Sequence, residues 1–275
     1  TDGESELMNV LTNSFMHSER LHTHMRFLYS KGSMYKTVNG NLLFHGCIPL
    51  DESGEPQSVV IDGCGLSGKE LLDKLNEIVN RAYFLPDGAE KQTAADMLWY
   101  LWCGPRSPLY GKDKMAFFER YFLVETELHR ECYNAYYHFS ESAEVCGRIL
   151  SMFGLDPKKG HIINGHVPVK ISRGESPVKA DGRLFVIDGG ISKAYQKTTG
   201  IAGYTLIYDS HSLNLAEHKP FIPDESEHTP EIHLVERLEQ RANISDTDKG
   251  SELLSQINDL KELLEAYRSG ALKEK

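Results

Sequence analysis

Apolar residues fall at helical spacing in three stretches and gather in short runs elsewhere. Residues 5–28 read as one amphipathic helix ending before Gly32. Residues 67–84 form a second helix, with Leu71, Leu75, Ile78 and Ala82 on one face. A helical region continues from there to about residue 153 and closes at Gly154. The last helix spans about 250–268 and stops at Gly270, with Leu253, Ile257, Leu260 and Leu264 in one stripe that faces a core or a subunit contact.

The short apolar runs predict strands. SMYKTV (33–38) and NLLFHGCIPL (41–50) meet at Asn39-Gly40, a strong hairpin signal. SVVID (58–62), HIIN (161–164), VKI (169–171), RLFVID (183–188), AGYTLIYD (202–209) and IHLVERL (232–238) follow. Residues 212–230, rich in Pro, His and acidic side chains, read as an extended connection. Helices and strands mix without strict alternation, so the fold class is α/β in the α+β sense, and no doubly wound sheet is required.

GCGLSGKE (63–70) fits the phosphate-cradling pattern G-x-x-x-x-G-K-[ST] except at its last position. Glu70 stands there instead of a magnesium-holding hydroxyl and would repel phosphate. Ser67 and Glu70 form the S-x-x-E pattern of a helix capping box, which explains both residues without a nucleotide.

Two histidines share one layout. His45 follows an apolar run, sits beside Gly46 and precedes Pro49; His166 follows HIIN, sits beside Gly165 and precedes Pro168. Each layout puts an imidazole just past a strand end, where Gly lets other backbone approach. Such a histidine is either a hydrogen-bonded polar residue or a ligand for a borderline divalent metal, and the residues alone leave both readings open. His17 and His24 share a helix face, His161 opens its strand towards phosphate or solvent, and His211, His218, His228 and His233 carry no assignment.

The 275 residues suffice for one large domain or two small ones. The net charge of −10 argues against nucleic acid as partner. Residues 156–179 nevertheless carry five basic side chains against two acidic ones, a local excess that suits a small anion or a solvated loop. No apolar run is long enough to span a membrane, no leader pattern opens the chain, and five cysteines without C-x-x-C spacing fit a reducing cytoplasm. Arg106, in WCGPRSPLYGK, is a candidate phosphate clamp or a surface loop residue. Lys112, Lys170 and Arg173 are candidates for a second phosphate. The Gly-rich stretch from Asp188 to Gly200 offers backbone amides to a ligand or only shapes turns.

LLFHGCIPL, MLWYLWCGPRSPLYGKDKM, GHIINGHVPVK, GESPVKADGRLFVIDGGISKAYQKTTGIAGYTLIY and DLKELLEAYRSG occur in this order. The sequence thereby resembles the class III fructose-1,6-bisphosphatases of bacteria, within the calcineurin-like metallophosphatases. The resemblance implies the C-terminal part of a β-sandwich flanked by helices. Residues 1–208 would belong to the metallophosphatase domain, with a helical insertion at about 66–153, and residues 209–275 to a C-terminal extension. It implies His45 and His166 as metal ligands in a two-manganese centre that hydrolyses fructose 1,6-bisphosphate in gluconeogenesis; the long C-terminal helix adds the expectation of a homo-oligomer. Cys47, where protein phosphatases of the superfamily carry a second Gly, reads as a packing residue.

The superfamily motifs Asp-x-His, Gly-Asp-x-x-Asp-Arg and Gly-Asn-His, which supply most ligands and the general acid, are absent from the sequence. The expectation is therefore an incomplete portion, inactive by itself. The competing expectations are a non-catalytic binding or assembly module, and a nucleotide or protein phosphatase of the same superfamily.

Overall fold

The structure is a computed structural model that describes residues 1–190, 192–200, 203–219 and 229–273. In chain order its elements begin with helices α1 (Asp2–Met16) and α2 (Glu19–Lys31), strands β1 (Tyr35–Val38), β2 (Asn41–Phe44), β3 (Val59–Ile61) and β4 (Cys64–Leu66), and helices α3 (Gly68–Phe84) and α4 (Ala89–Cys103). Short helices α5 (Phe117–Phe122) and α6 (Tyr136–Phe139) follow, then α7 (Ala143–Met152), β5 (Ile162–Asn164), β6 (Val178–Lys179) and β7 (Leu184–Val186). The described chain closes with α8 (Lys193–Thr199), β8 (Gly203–Tyr208), β9 (Ser212–His218), β10 (Glu231–Arg237) and α9 (Asp248–Arg268). This mixture of helices and sheets bears out the α/β class. Among the described residues no helix is long and apolar enough to cross a membrane.

The chain divides into two compact units. The first comprises residues 1–35 and 47–136, the second residues 36–46 and 137–275. In the first unit the expected helix over 5–28 is two helices. Ser18 breaks it, because its side chain accepts the Leu21 N–H at 3.2 Å and so starts α2 afresh. Helix α3 buries Leu71, Leu72, Leu75, Ile78 and Ala82, the predicted stripe with Leu72 added, and packs on α4.

The capping box at Ser67 does not form: Ser67 has cap backbone geometry, but its side chain makes no cap hydrogen bond. Nor does the segment make a phosphate cradle. Cys64–Leu66 is a strand paired with β3 through an Asp62-Gly63 turn whose residues both take positive φ, and Lys69 pairs with Asp73 at 2.6 Å. Between α4 and α7 the expected helical region holds only short helices in mostly irregular chain. Half-buried polar groups organise it: Asn134 Oδ1 accepts the Leu50 and Tyr136 N–H groups, and Glu131 accepts the Ala116 N–H and the Lys112 ammonium.

In the second unit five strands form one sheet in the order β1-β2-β5-β7-β6. Asn39 and Gly40, with φ of 49° and 76°, make the predicted tight turn between β1 and β2. Strands β2, β5 and β7 are parallel neighbours. Leu42, Ile162, Leu184 and Phe185 are fully buried, as parallel strands covered on both faces require. VKI is not a strand. Pro168 withdraws an N–H from any ladder, and Ile171–Arg173 close a 3₁₀ turn that ends at left-handed Gly174.

The predicted extended connection begins instead as strand β9, whose Leu213 and Leu215 alternate inward between β8 and β10. Ile191, Ala202 and residues 220–228, which include His228 and the middle of that connection, lie outside the described residues. Asn39 and Asp248 bond reciprocally: the Asn39 N–H donates to Asp248 Oδ2 at 2.7 Å and the Asp248 N–H to Asn39 Oδ1 at 3.0 Å. The start of α9 is thus fixed to the first turn of the sheet.

Candidate metal centre

Parallel strands all present their C-terminal ends on one edge of a sheet, the edge where open α/β sheets collect ligands. Strands β2, β5 and β7 bring His45, His166 and Asp188 to that edge, each one or two residues past its strand. The two histidines, 121 positions apart in sequence, meet there: His45 Nε2 lies 3.0 Å from His166 Nδ1, with the rings edge to face. The Gly165 N–H donates to the His45 carbonyl at 2.9 Å, so the sheet ladder itself sets their separation.

The local backbone is special on the β5 side. His166 has a φ of 68°, a left-handed conformation uncommon outside glycine and most often kept where a site demands it. A Cβ on neighbouring Gly165 would sit at ordinary contact distance, 3.4 Å, from the Asp188 Cβ, which places the β7 end beside this turn.

The electrostatics favour neutral imidazole. Burial pulls the His45 pKa below its ordinary value, His166 pulls it further down, and Asp188 opposes them. Neutral imidazoles offer a ring lone pair to a borderline metal. Two nitrogens each about 2.1 Å from a common ion, at the roughly 90° angle of neighbouring octahedral positions, lie about 3 Å apart, so the observed spacing fits a shared six-coordinate ion. Among the described residues, however, no group of three or more His, Cys, Asp or Glu side chains gathers to hold one. The pair fits part of a divalent centre.

In the sequence Asp188 stands out only for the backbone amides of the Gly-rich stretch that it opens. Its signal was the repeated layout: an apolar run, then a polar residue beside glycine, as at His45-Gly46 and Gly165-His166. Its Oδ1 accepts the Gly190 N–H at 2.8 Å, which fixes the carboxylate in the turn after β7.

The four candidate phosphate residues divide between the units. In the first unit Arg106 and Lys112 line one cavity of about 470 Å³, together with Asp51, Gln57, Asp113 and Tyr133. Arg106 is exposed on a left-handed residue with a φ of 63°. The Lys112 ammonium is already matched: it donates to Glu131 at 2.7 Å and lies over the Tyr110 and Tyr133 rings. In the second unit Lys170 and Arg173 flank the 3₁₀ turn after Val169, and the Lys170 N–H is held by Glu175 at 2.9 Å.

His161 departs from its expected contact with phosphate or solvent. It is buried, with Nδ1 3.0 Å from Asn41 Oδ1 and Nε2 2.8 Å from Glu236 Oε2, and it ties β2 and β5 to β10. Cys47 is buried and its thiol is pushed up to about 12 by desolvation, so it packs and does not react.

A family model described as Firmicute fructose-1,6-bisphosphatase matches residues 1–269. The chain is 49% identical over 281 residues to a protein of Clostridium novyi (strain NT) named fructose-1,6-bisphosphatase class 3, with all of this chain and 42% of that protein covered. It is 50% identical over 282 residues to a protein of the same name from Bacteroides fragilis (strain ATCC 25285), with the same coverage. A third, from Clostridium botulinum (strain Kyoto / Type A2), is 49% identical over 278 residues, covering 98% of this chain and 42% of the relative. The chain thus spans about 42% of the length of the curated relatives it matches. No solved structure matches it. With the family model matching nearly its whole length, this chain belongs to the Firmicute fructose-1,6-bisphosphatase family.

Proposed function

We propose that this chain forms part of the active site of a metal-dependent fructose-1,6-bisphosphatase, which hydrolyses fructose 1,6-bisphosphate to fructose 6-phosphate and phosphate. The observation that carries the reading is the 3.0 Å convergence of His45 and His166 at the ends of two parallel strands, in a chain of this family. A divalent ion bound there, manganese in our reading, supplies Lewis acidity that polarises the phosphate and lowers the pKa of water.

The chain's own part is to present two ring nitrogens at fixed separation. Desolvation keeps His45 unprotonated, and the ladder bond from Gly165 to the His45 carbonyl holds the strand ends in register. Arg106 is the strongest phosphate candidate of the four. Its guanidinium is exposed and can grip a phosphate with two parallel hydrogen bonds. Lys112 would have to exchange Glu131 for phosphate. Lys170 and Arg173 would meet the second phosphate from their turn. We read the protein as a cytoplasmic homo-oligomer of gluconeogenesis.

A second reading is favoured by one observation. Among the described residues there is no third metal ligand within the cluster, so the isolated chain would bind or assemble without turning over substrate.

The test compares the full-length protein with its His166→Ala variant. Phosphate release from fructose 1,6-bisphosphate and manganese content should both fall, by more than the roughly 10–100-fold that loss of an outer-shell partner costs. Unchanged activity and metal content would overturn the assignment. The 275-residue chain assayed alone separates the second reading: turnover there would exclude it.

A further inference from the structure

The second unit holds a cavity of about 380 Å³ that is lined by neither His45, His166 nor Asp188. Most of its wall is apolar. Ile171, Pro177 and Val178 come from the 3₁₀ turn and β6, and Leu215, Leu234 and Val235 from β9 and β10. Its size is that of a small-molecule pocket, for which about 300–1,000 Å³ is usual.

The sheet register gathers polar groups into this apolar wall. Tyr204 of β8 pairs with Glu217 of β9, and two residues earlier Leu215 pairs with His233 of β10. Residues paired across strands share a face, as do residues two apart along one strand. The Tyr204 ring, the Glu217 carboxylate and the His233 imidazole therefore stand on one face, and all three line the cavity.

The Tyr204 hydroxyl is the group that asks for a ligand. Tyr204 is 7% exposed, and its hydroxyl is buried with no hydrogen-bond partner. Buried hydroxyls are nearly always paired, and one left unpaired is costly. Burial, with help from Glu217, pushes the Tyr204 pKa up to about 12, so the phenol stays neutral. Glu217 has spare capacity too. Among the described residues the one ionic partner within 4 Å is His233, whose Nε2 lies 3.7 Å away, beyond hydrogen-bond reach.

A carboxylate only accepts hydrogen bonds, and a phenol oxygen can accept one. The two together suit a donor that carries positive charge, and Glu217 repels an anion. We infer that this cavity binds a small organic cation, a primary amine on an apolar body, whose ammonium donates to Glu217 and to the Tyr204 hydroxyl. Its body would lie against Ile171, Val178 and Leu234. The connection between β9 and β10 does not supply such a group, because PFIPDESEH (220–228) contains neither lysine nor arginine.

Isothermal titration of the full-length protein with phenethylamine tests it. Phenylacetate and 2-phenylethanol serve as the anionic and neutral probes of matching size. Phenethylamine should bind about tenfold tighter than either, and Glu217→Gln should remove that margin. Tyr204→Phe should weaken phenethylamine binding by about threefold to tenfold. It should also leave the thermal midpoint unchanged or raise it, since it deletes an unpaired hydroxyl. Equal binding of the three probes, or a preference for phenethylamine that survives Glu217→Gln, would overturn the inference. A lower midpoint in Tyr204→Phe would show that the hydroxyl already has a partner, with the same consequence. Binding only after Phe221→Ala and Ile222→Ala would mean that the chain's own connection fills the cavity, and no binding in either protein would reject the site.

Discussion

His45 Nε2 stands 3.0 Å from His166 Nδ1 across the ends of strands β2 and β5, and the His166 ring adds to the burial that lowers the His45 pKa. Replacing His166 with Ala removes the ring that opposes a charge on His45 and some of the protein around the His45 ring. Both changes favour the protonated form, so the His45 pKa should move up. Proton NMR titration of the His45 ring measures it; a pKa that stays put or falls would show that the two rings do not sense one another.

His161 should make stability depend on pH. Burial depresses its pKa below the unfolded value of 6.5, against the pull of Glu236. Its folded form thus resists protonation. The contribution of neutral His161 is fully present above about pH 6.5 and is lost as pH falls from there through the lower folded pKa. Thermal midpoints should drop between pH 7.5 and 5.5. His161→Gln, which keeps an amide in reach of Asn41 and Glu236, should flatten that slope.

Capping offers a contrast within one molecule. The Thr247 hydroxyl accepts the Gly250 N–H at 3.0 Å, whereas Ser67 makes no such bond. Thr247→Ala should cost about 1 kcal/mol, and Ser67→Ala less than about 0.5 kcal/mol. Urea unfolding of the two variants compares them directly.

The core of the five-stranded sheet should be intolerant. Ile162 is completely buried between β2 and β7, and Ile162→Ala should destabilise by about 2–5 kcal/mol in denaturant unfolding.

Gly160, just before β5, is sterically constrained. A Cβ there would lie 2.7 Å from the Gly40 carbonyl and 2.9 Å from that of Asp156. Both obstacles are backbone, so Gly160→Ala should cost about 1–3 kcal/mol by the same measurement.

What could be read in advance was what short-range physics decides. The stripe of α3, the Asn39-Gly40 turn and the apolar β5 and β7 cores are local patterns, and they appear where expected. The misses each turned on a competing local bond or an overlooked signal. Ser18 restarted a helix that periodicity ran straight through. Asp62-Gly63 is a hairpin signal that the phosphate-loop pattern obscured. In β9 the alternation of Leu213 and Leu215 was hidden among polar neighbours. At the candidate site the layout around each histidine was legible, but their meeting depends on β2 and β5 becoming parallel neighbours, a pairing no local pattern encodes.

That pairing also sets a timetable. Leu42 of β2 pairs with Ile162 of β5, and most of the chain between them belongs to the other unit. During synthesis at roughly 5–20 residues per second, the β5 side of β2 waits on the order of ten seconds for its partner to leave the ribosome. Through that interval it offers unpaired amides and the apolar side chains of Leu42 and Leu43 to any passing strand. The sheet edge that brings the histidines together is therefore a part of the nascent chain with a long need of protection.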